Sequence, residues 1–308
     1  MQVNGSSDDA LTLSQEVADL EQRLIEAKAR LAAQTERAEP EHTQHTYTAF
    51  SGNASSPQLH CLLLLSDSAL PLGSFAFSSG LESFLAHQPK HTQNATTFSN
   101  FLSLSLASIA GLTLPYVIAG YEQPERLDEL DNDFDASTTC TVARRASVKQ
   151  GRALMAVWDR SFKAQFRLSE GGSSHERAAQ IVLRDFGVSL KTAPEANDQF
   201  GNFAPNGHLP PLFGVVCAAL AMQLSDVLYM YLFNHVKTVV SAAIRAGVLG
   251  PYQAQGVLAG EGLRNRTNAI IKSELDSKRN PSDAGQSVPL MDIWGGRHEV
   301  IYSRIFNS

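Results

Sequence analysis

Residues 62–87 read LLLLSDSALPLGSFAFSSGLESFLAH, and this stretch decides the fold. An apolar run ends at a Ser-Asp-Ser break, and a second apolar run begins at Leu81. Between them, Pro71 fixes its own φ and disfavours a helical residue before it, while Gly73 and Gly80 permit turns that other residues resist. The pattern predicts a short buried helix, a fixed corner and a second helix.

The polar side chains of this stretch are predicted to be structural rather than catalytic. Ser66, Asp67 and Ser68 are typical of turn and capping groups, because their short side chains hydrogen-bond the nearby backbone. Ser78 or Ser79 is expected to cap the second helix. Taken alone, the stretch predicts helical core and no active site.

Composition limits the classes of protein to which the chain can belong. Hydrophobic residues make up 43% of the 308, so the chain can bury a large core. The net charge is −6 and no run is rich in Lys or Arg, which argues against nucleic acid or an anionic membrane as partner. The longest apolar run, 209–222, is shorter than the ~20 residues of a spanning helix and is predicted to be a buried core helix.

The cysteines and the N-terminus indicate the compartment. Cys61, Cys140 and Cys217 are far apart and odd in number, so the sequence predicts neither a disulfide framework nor a zinc site. Residues 1–10 lack the basic and apolar regions of a secretory signal. We therefore expect a reducing, cytoplasmic location.

The N-terminal extension, residues 1–58, is predicted to hold one amphipathic helix and a linker. Apolar residues recur between 11 and 38 at alternating spacings of 4 and 3, which is a heptad pattern. A solvated helix and a coiled coil both fit this pattern. Residues 39–57, rich in His, Thr, Ser and Gly, are typical of a flexible linker.

The domain from residue 59 to 308 is predicted to be helical throughout. Helical spacing of apolar residues covers 96–120, 142–167, 227–246 and 253–275, with Ser225 or Asp226 as the cap of the third of these. Alternating β-branched strands do not stand out in the sequence, and no hairpin dipeptide flanks such a run. The fold class is therefore all-α, a single helical-bundle-like domain.

Two polar segments interrupt the helical pattern and are predicted as insertions. Residues 122–141 are acidic and are expected to form an exposed loop. Three alternating aspartates there mimic a calcium loop, but Ala136 stands where that loop needs glycine and Val142 where it needs glutamate. Residues 169–208 are expected to be loop around a short helix at 178–186.

Catalytic and cofactor motifs are not found in the sequence. Walker A, GxGxxG, GxSxG and HExxH patterns are missing, and His298-Glu299 lacks the second histidine of a zinc helix. His60 beside Cys61 has no further metal ligand at usable spacing, and His235 is expected to be a hydrogen-bonded core histidine. We therefore predict a binding protein without catalytic residues, metal or cofactor, rather than an enzyme.

Arg245 and the C-terminus are the remaining candidates for function. Arg245 comes late in an apolar helix, where it either complements the helix dipole or contacts an acidic group of a partner. The last twenty residues are apolar and aromatic, so we expect them to dock on the chain's own core or on a partner. The rival reading is a helical hydrolase that uses Asp67, Glu82 or His298.

Residues 66–82, SDSALPLGSFAFSSGLE, resemble the signature of the urease accessory protein UreF family. Three further stretches are similar in order: ASVKQGRAL at 146–154, the apolar pair at 212–250, and the tail at 298–308. Pro251 departs from the glutamine that bacterial members often have, and the long insertions suit a eukaryotic, fungal member. The residues that carry the signature are Ser66, Asp67, Pro71, Gly73, Phe75, Ser78, Gly80, Leu81 and Glu82.

The resemblance implies an all-helical, non-enzymatic adaptor for nickel insertion into apo-urease. Members of the family form homodimers and bridge a UreD-like protein (UreH in some species) to the GTPase UreG. The GTPase carries nucleotide and nickel, and the UreF-like protein influences when GTP is hydrolysed. The rival interaction reading is a coiled-coil scaffold built on residues 11–38.

Partner-binding residues are expected at two places. Tyr302, Arg304 and Phe306 are predicted to anchor the tail to the UreD-like protein, with His298 and Glu299 beside them. The loop that follows Arg245 is predicted to face the GTPase. That second set comprises Arg245, Gly250 and Tyr252.

Overall fold

The computed structural model describes residues 22–23, 26, 57–166, 173–192 and 204–307. The chain divides into two compact units, Met1–Asn53 and Ala54–Ser308. The heptad pattern and the linker predicted for the N-terminal extension lie outside the described residues, apart from three helical positions.

Eleven α-helices of six or more residues make up most of the described part of the second unit, with 3₁₀ turns and the three-residue helix Lys163–Gln165 between them, and no strand occurs in it. This confirms the all-α prediction, whose physical basis is the helical spacing of apolar residues along the chain. The helices are α1 Pro57–Ser66, α2 Leu81–Ala86, α3 Ala95–Glu122, α4 Leu127–Ser137, α5 Thr141–Val157, α6 Ser174–Thr192, α7 Leu209–Ala219, α8 Leu224–Arg245, α9 Pro251–Ala259, α10 Glu261–Ser277 and α11 Pro289–Arg297. A π-helical turn, Trp158–Phe162, extends α5.

Helices α3 and α7 form the centre of the unit. Their backbones approach closely because glycines face the contact: a Cβ on Gly120 would lie 2.3 Å from the Pro211 carbonyl oxygen. A Cβ on Gly214 would lie 2.2 Å from the Val117 carbonyl oxygen. The prediction of a buried core helix in 209–222 is confirmed, and the helix ends at Ala219.

By length and composition alone, α3 and α8 are apolar enough to cross a membrane. Within the unit, 72% of the apolar window of α3 and 56% of that of α8 are buried by other helices. Such burial is expected of core helices, whose apolar faces are covered by protein.

The prediction of an exposed loop at 122–141 is wrong, because most of this segment is the helix α4. Leu127, Leu130 and Phe134 recur at helical spacing and are buried, while three of the five acidic residues of the helix are exposed on the outer face. The acidic composition concealed this amphipathic pattern. The helix predicted at 178–186 exists but is longer and forms α6.

Helix ends also differ from the sequence predictions. The single helix predicted over 253–275 is broken at Gly260, whose ψ of 134° is extended, so that α9 and α10 are separate. Helix α8 begins after Gln223, without a side-chain cap from Ser225 or Asp226. At α2 the N-cap is a glycine rather than either predicted serine.

Candidate functional site

Residues 67–80 form the signature corner between α1 and α2. Asp67 Oδ1 accepts a hydrogen bond from the Ala69 backbone N–H at 2.9 Å, which is the turn role predicted for it. Gly73 has φ +70° and Gly80 has φ +86°, conformations that side chains with a Cβ resist. Pro71 and Gly73 thus stand where the chain turns.

The signature residues that flank the corner also have structural roles. Ser66 Oγ donates to the Leu63 carbonyl at 3.3 Å, and Ser78 Oγ accepts from the Glu82 N–H at 3.4 Å. Leu81 is fully buried. The predicted corner between two helices is therefore confirmed, including the structural character of its serines.

Glu82 joins the signature to the C-terminal tail, residues 298–307. Its side chain is almost buried, and it accepts hydrogen bonds from the backbone N–H of Ile305 at 2.6 Å and of Phe306 at 3.1 Å. The Nε2 atom of fully buried His298 lies 2.9 Å from the same carboxylate. Three donors around one buried carboxylate replace the water it loses on folding.

A second set of contacts holds the end of the tail. The Asn307 N–H donates to the Ala76 carbonyl at 2.8 Å. Arg245 donates to the Phe75 carbonyl, and its guanidinium carbon lies 4.3 Å from the centroid of the Phe306 ring. The signature corner, the end of α8 and the tail therefore meet at one place.

The residues predicted to bind partners fall into two groups. His298 and Phe306 are buried in the chain's own core, so in this conformation they hold the tail and do not face a partner. Tyr302 and Tyr252 are almost fully exposed. Gly250 caps α9, where its N–H donates to Gln253 Oε1 at 3.1 Å.

The exposed face of the tail carries an ion-pair network. Glu299 pairs with Arg145 on α5, and it lies 3.2 Å from Arg304. The hydrogen bond and charge of Arg145, with a smaller effect of Arg304, lower the pKa of Glu299. Both arginines therefore favour the ionised form of the Glu299 carboxylate, three residues before Tyr302 in the chain.

A partly open cavity of about 290 Å³ lies under the signature corner. Helices α3, α5, α8 and α11 supply most of its other walls, and Cys140 is also in the lining. His235 on α8 also lines it and is hydrogen-bonded to Ser105 at 2.7 Å, as predicted for a core histidine. Burial lowers the pKa of His235 to about 4, so the ring is neutral at pH 7.

A buried polar network, which the sequence reasoning missed, connects α4 and α5 to the start of α7. Asp131 is fully buried and accepts from three consecutive backbone N–H groups, residues 206–208, at 2.6–3.0 Å. His208 lies 3.1 Å from Ser147 Oγ and 3.0 Å from Asp135. Asp131 and Asp135, two of the three alternating aspartates that mimic a calcium loop, therefore hold residues 206–208 in place.

Ser147, His208 and Asp135 together have the composition of a nucleophilic triad. Their contacts instead form a structural bracket, by which we mean a network that holds the segment before α7 against α5. Ser147 Oγ also accepts the Leu209 N–H at 3.2 Å, which withdraws electron density from the hydroxyl. A Cβ on neighbouring Gly151 would lie 2.1 Å from the Gly207 carbonyl oxygen. The network packs the 204–208 segment tightly onto α5.

The rival hydrolase and metal readings find no support in the described residues. Glu82 and His298 are paired, but the Glu82 carboxylate also accepts backbone N–H groups of the tail, and neither residue lines the cavity. Asp67 is used by its own turn. Among the described residues, no three His, Cys, Asp or Glu side chains are grouped so that they could hold a metal ion.

Comparison with known proteins decides the family. A family model described as UreF matches residues 92–260, more than half of the chain. The chain belongs to the UreF family. This confirms the resemblance drawn from the signature and the tail.

Relatives of this UreF-family chain occur in fungi and plants. It is 37% identical to an uncharacterized urease accessory protein UreF-like of Schizosaccharomyces pombe, over 82% of this chain and 99% of the relative. It is 26% identical to urease accessory protein 6 of Cryptococcus neoformans, over 83% and 99% of the two chains. Urease accessory protein F of Arabidopsis thaliana is 29% identical, over 79% and 90%.

Proposed function

We propose that this chain is a urease maturation factor that acts as a non-enzymatic adaptor. Its membership of the UreF family is the observation that carries the proposal, since the curated relatives are named as urease accessory proteins. The helical scaffold supports it, because polar side chains that resemble catalytic residues in the sequence make structural contacts. Asp67 accepts within its own turn, Glu82 holds the tail and Asp131 holds the segment before α7.

The adaptor bridges a UreD/UreH-like protein and a UreG-like GTPase so that nickel reaches apo-urease, and it modulates GTP hydrolysis. The tail supports contact with the UreD/UreH-like protein. Its backbone is fixed by Glu82, whereas Tyr302 and Ile305 project into solvent beside the pair of Glu299 and Arg304. A rigid aromatic side chain next to charges is the usual composition of a binding hot spot.

We assign the GTPase contact to the loop that precedes α9. Tyr252 is exposed there and follows the cap residue Gly250. Arg245 has a double role in this proposal, because it clamps Phe306 and Phe75 from a position that solvent still reaches. Arg245 is thus the member of the GTPase-facing set that also contacts the tail.

The proposal includes a cytoplasmic location and a homodimer. Free, buried thiols at Cys61, Cys140 and Cys217 suit a reducing compartment. The dimer follows from the family resemblance alone.

The decisive experiment removes the gene for this chain from its own cell. We expect urease polypeptide to accumulate at normal levels but to be inactive and depleted in nickel when purified and analysed by mass spectrometry. Returning the full-length chain must restore both nickel and activity. Nickel-loaded, active urease in the deletion strain would contradict the proposal.

A further inference from the structure

The tail is held chiefly through its backbone, and this fixes which of its side chains face outward. Glu82 accepts the N–H groups of two consecutive residues, Ile305 and Phe306. With these two N–H groups fixed, the Phe306 side chain is buried while that of Ile305 is exposed. A slip of the tail by one residue would exchange the buried and exposed side chains.

The tail also stabilises Glu82, because it supplies hydrogen-bond donors to the Glu82 carboxylate. The carboxylate is almost buried, and its recorded donors on the tail are His298 and the two backbone N–H groups. If the tail leaves, the carboxylate loses these donors and must draw in water. Charge-assisted hydrogen bonds of this kind are stronger than neutral ones, so the docked tail is favoured.

The tail in turn holds the far end of the signature corner. Asn307 donates to the Ala76 carbonyl, and Arg245, which rests on Phe306, donates to the Phe75 carbonyl. The near end of the corner is held independently by α8, where Lys237 donates to the Ser66 carbonyl. The tail therefore makes one of the contacts that fix the far end and packs against the arginine that makes another, while Ser74 Oγ, which donates to Gln150 Oε1 at 3.0 Å, holds that end independently of the tail.

The signature corner is also a wall of the partly open cavity. Nine of its fourteen residues line the space, from Asp67 to Gly80. Cys140 lines the same cavity and is a buried, free thiol. Loosening the far end of the corner would expose that thiol to reagents, whereas Cys61 and Cys217, which are buried in the core and do not line the cavity, would stay protected.

We propose that Glu82 is the positioning residue of the partner-binding tail, and that the tail it holds seats the signature corner over the partly open cavity. The proposal rests on the proposed function in one respect, namely that the tail contacts a partner. It assigns to Glu82 a role beyond packing, because one carboxylate sets both the outward face of the tail and the closure of the cavity.

The test compares the full-length chain with Glu82→Gln and with the matched control Glu261→Gln. Glutamine keeps the shape of Glu82 but presents an NH2 group to donors that need an acceptor. Glu261 is exposed, and its ion-pair partner among the described residues is Arg264 at the surface. Trypsin cleavage after Arg304 reports release of the tail, and the rate of iodoacetamide alkylation at Cys140 reports opening of the corner.

In Glu82→Gln we expect both rates to rise about tenfold, equivalent to about 1.4 kcal/mol. The rates at Cys61 and Cys217 and the helical circular dichroism are expected to stay at the wild-type level, and Glu261→Gln to match the wild type throughout. Unchanged cleavage after Arg304 would overturn the positioning role. Faster cleavage without faster Cys140 alkylation would overturn the coupling to the cavity.

If Glu82→Gln does not fold, deletion of residues 305–308 serves as the second variant. It leaves Glu82 in place and must accelerate Cys140 alkylation in the same way, or the coupling is refuted. Capture of partners separates this proposal from the proposed function. Glu82→Gln is expected to weaken capture of the UreD-like protein about tenfold while the helical circular dichroism stays at the wild-type level, whereas general unfolding would lower both.

A wild-type chain that captures no UreD-like protein would contradict the proposed function. The two chemical rates are measured on the isolated chain and would still decide the role of Glu82. Undiminished capture of the UreD-like protein in Glu82→Gln, although cleavage after Arg304 is faster, would overturn the role of Glu82 in positioning the binding face.

Discussion

Arg245, at the last turn of α8, lies over the ring of Phe306, with its guanidinium carbon 4.3 Å from the ring centroid. The same guanidinium donates to the Phe75 carbonyl in the signature corner. A cation over an aromatic face is attracted by the ring quadrupole, and the planar guanidinium can stack and donate at once. One arginine therefore connects three segments that are distant in sequence.

A double-mutant cycle should detect this contact. We expect Phe306→Ala to cost about 3 kcal/mol of unfolding free energy, because a buried aromatic ring is lost. Arg245→Ala should cost about 1 kcal/mol, and the coupling between the two should be about 0.5–1 kcal/mol. Urea unfolding of the wild type, both single variants and the double variant measures all three quantities. Strict additivity would show that the contact contributes nothing.

Gly151 is predicted to be irreplaceable where α5 meets the segment before α7. A Cβ there would lie 2.1 Å from the Gly207 carbonyl oxygen, so Gly151→Ala should cost about 2–3 kcal/mol by overpacking. Gly256, on α9, has nothing within 4 Å of its Cβ position. Gly256→Ala is the matched control and should stabilise the chain by about 0.5–1 kcal/mol. Thermal unfolding of both variants tests the pair, and a stabilised Gly151→Ala would refute the close approach.

Asp131 should contribute strongly to stability without affecting the tail. Its buried carboxylate accepts three backbone N–H groups from residues 206–208. Asp131→Asn leaves an NH2 group facing donors, and we expect a loss of about 2–4 kcal/mol. Asp276→Asn, at an exposed position near the end of α10, is the control and should be neutral. Chemical denaturation measures the difference; a loss below about 0.5 kcal/mol would argue against the bracket.

His235 should make stability depend on pH in a defined window. Burial lowers its pKa from 6.5 to about 4, so the folded chain holds the ring neutral while the unfolded chain protonates it below pH 6.5. Because the unfolded state then binds more protons, stability is fully present above pH 6.5 and falls as the pH drops toward 4. The loss is about 2–3 kcal/mol over this window.

The variant His235→Gln isolates this contribution, because it removes the titrating ring and keeps a polar group for Ser105. Urea unfolding at pH 7, 6, 5 and 4 should give wild-type and variant curves that converge as the pH falls. Carboxylates titrate in both proteins and cancel in the difference. A difference that is constant with pH would show that His235 is not held neutral.

The sequence predicted the signature corner because proline and glycine restrict the backbone locally. It could not predict the bonds from Glu82 to Ile305 and Phe306, since backbone N–H groups carry no sequence signal and the partners are far apart in the chain. The inward position of Phe306 was missed for the same reason. Helix α4 could have been found from the spacing of Leu127, Leu130 and Phe134, had acidic composition not been given more weight than periodicity.

The two exposed tyrosines provide the sharpest test of the adaptor proposal. Tyr302 and Tyr252 are both almost fully exposed, so neither Tyr302→Ala nor Tyr252→Ala should change stability by more than about 0.5 kcal/mol. If the tail faces the UreD-like protein and the α9 entrance faces the GTPase, each substitution must weaken binding of a different partner. Tyr302→Ala should weaken capture of the UreD-like protein at least about tenfold and spare the GTPase, because a hot-spot aromatic contributes about 2 kcal/mol or more. Tyr252→Ala should do the reverse, so each variant is the control for the other. Equal losses for both partners, or none, would refute the assignment of separate faces, since two surface truncations that leave the fold intact can differ only in what they touch.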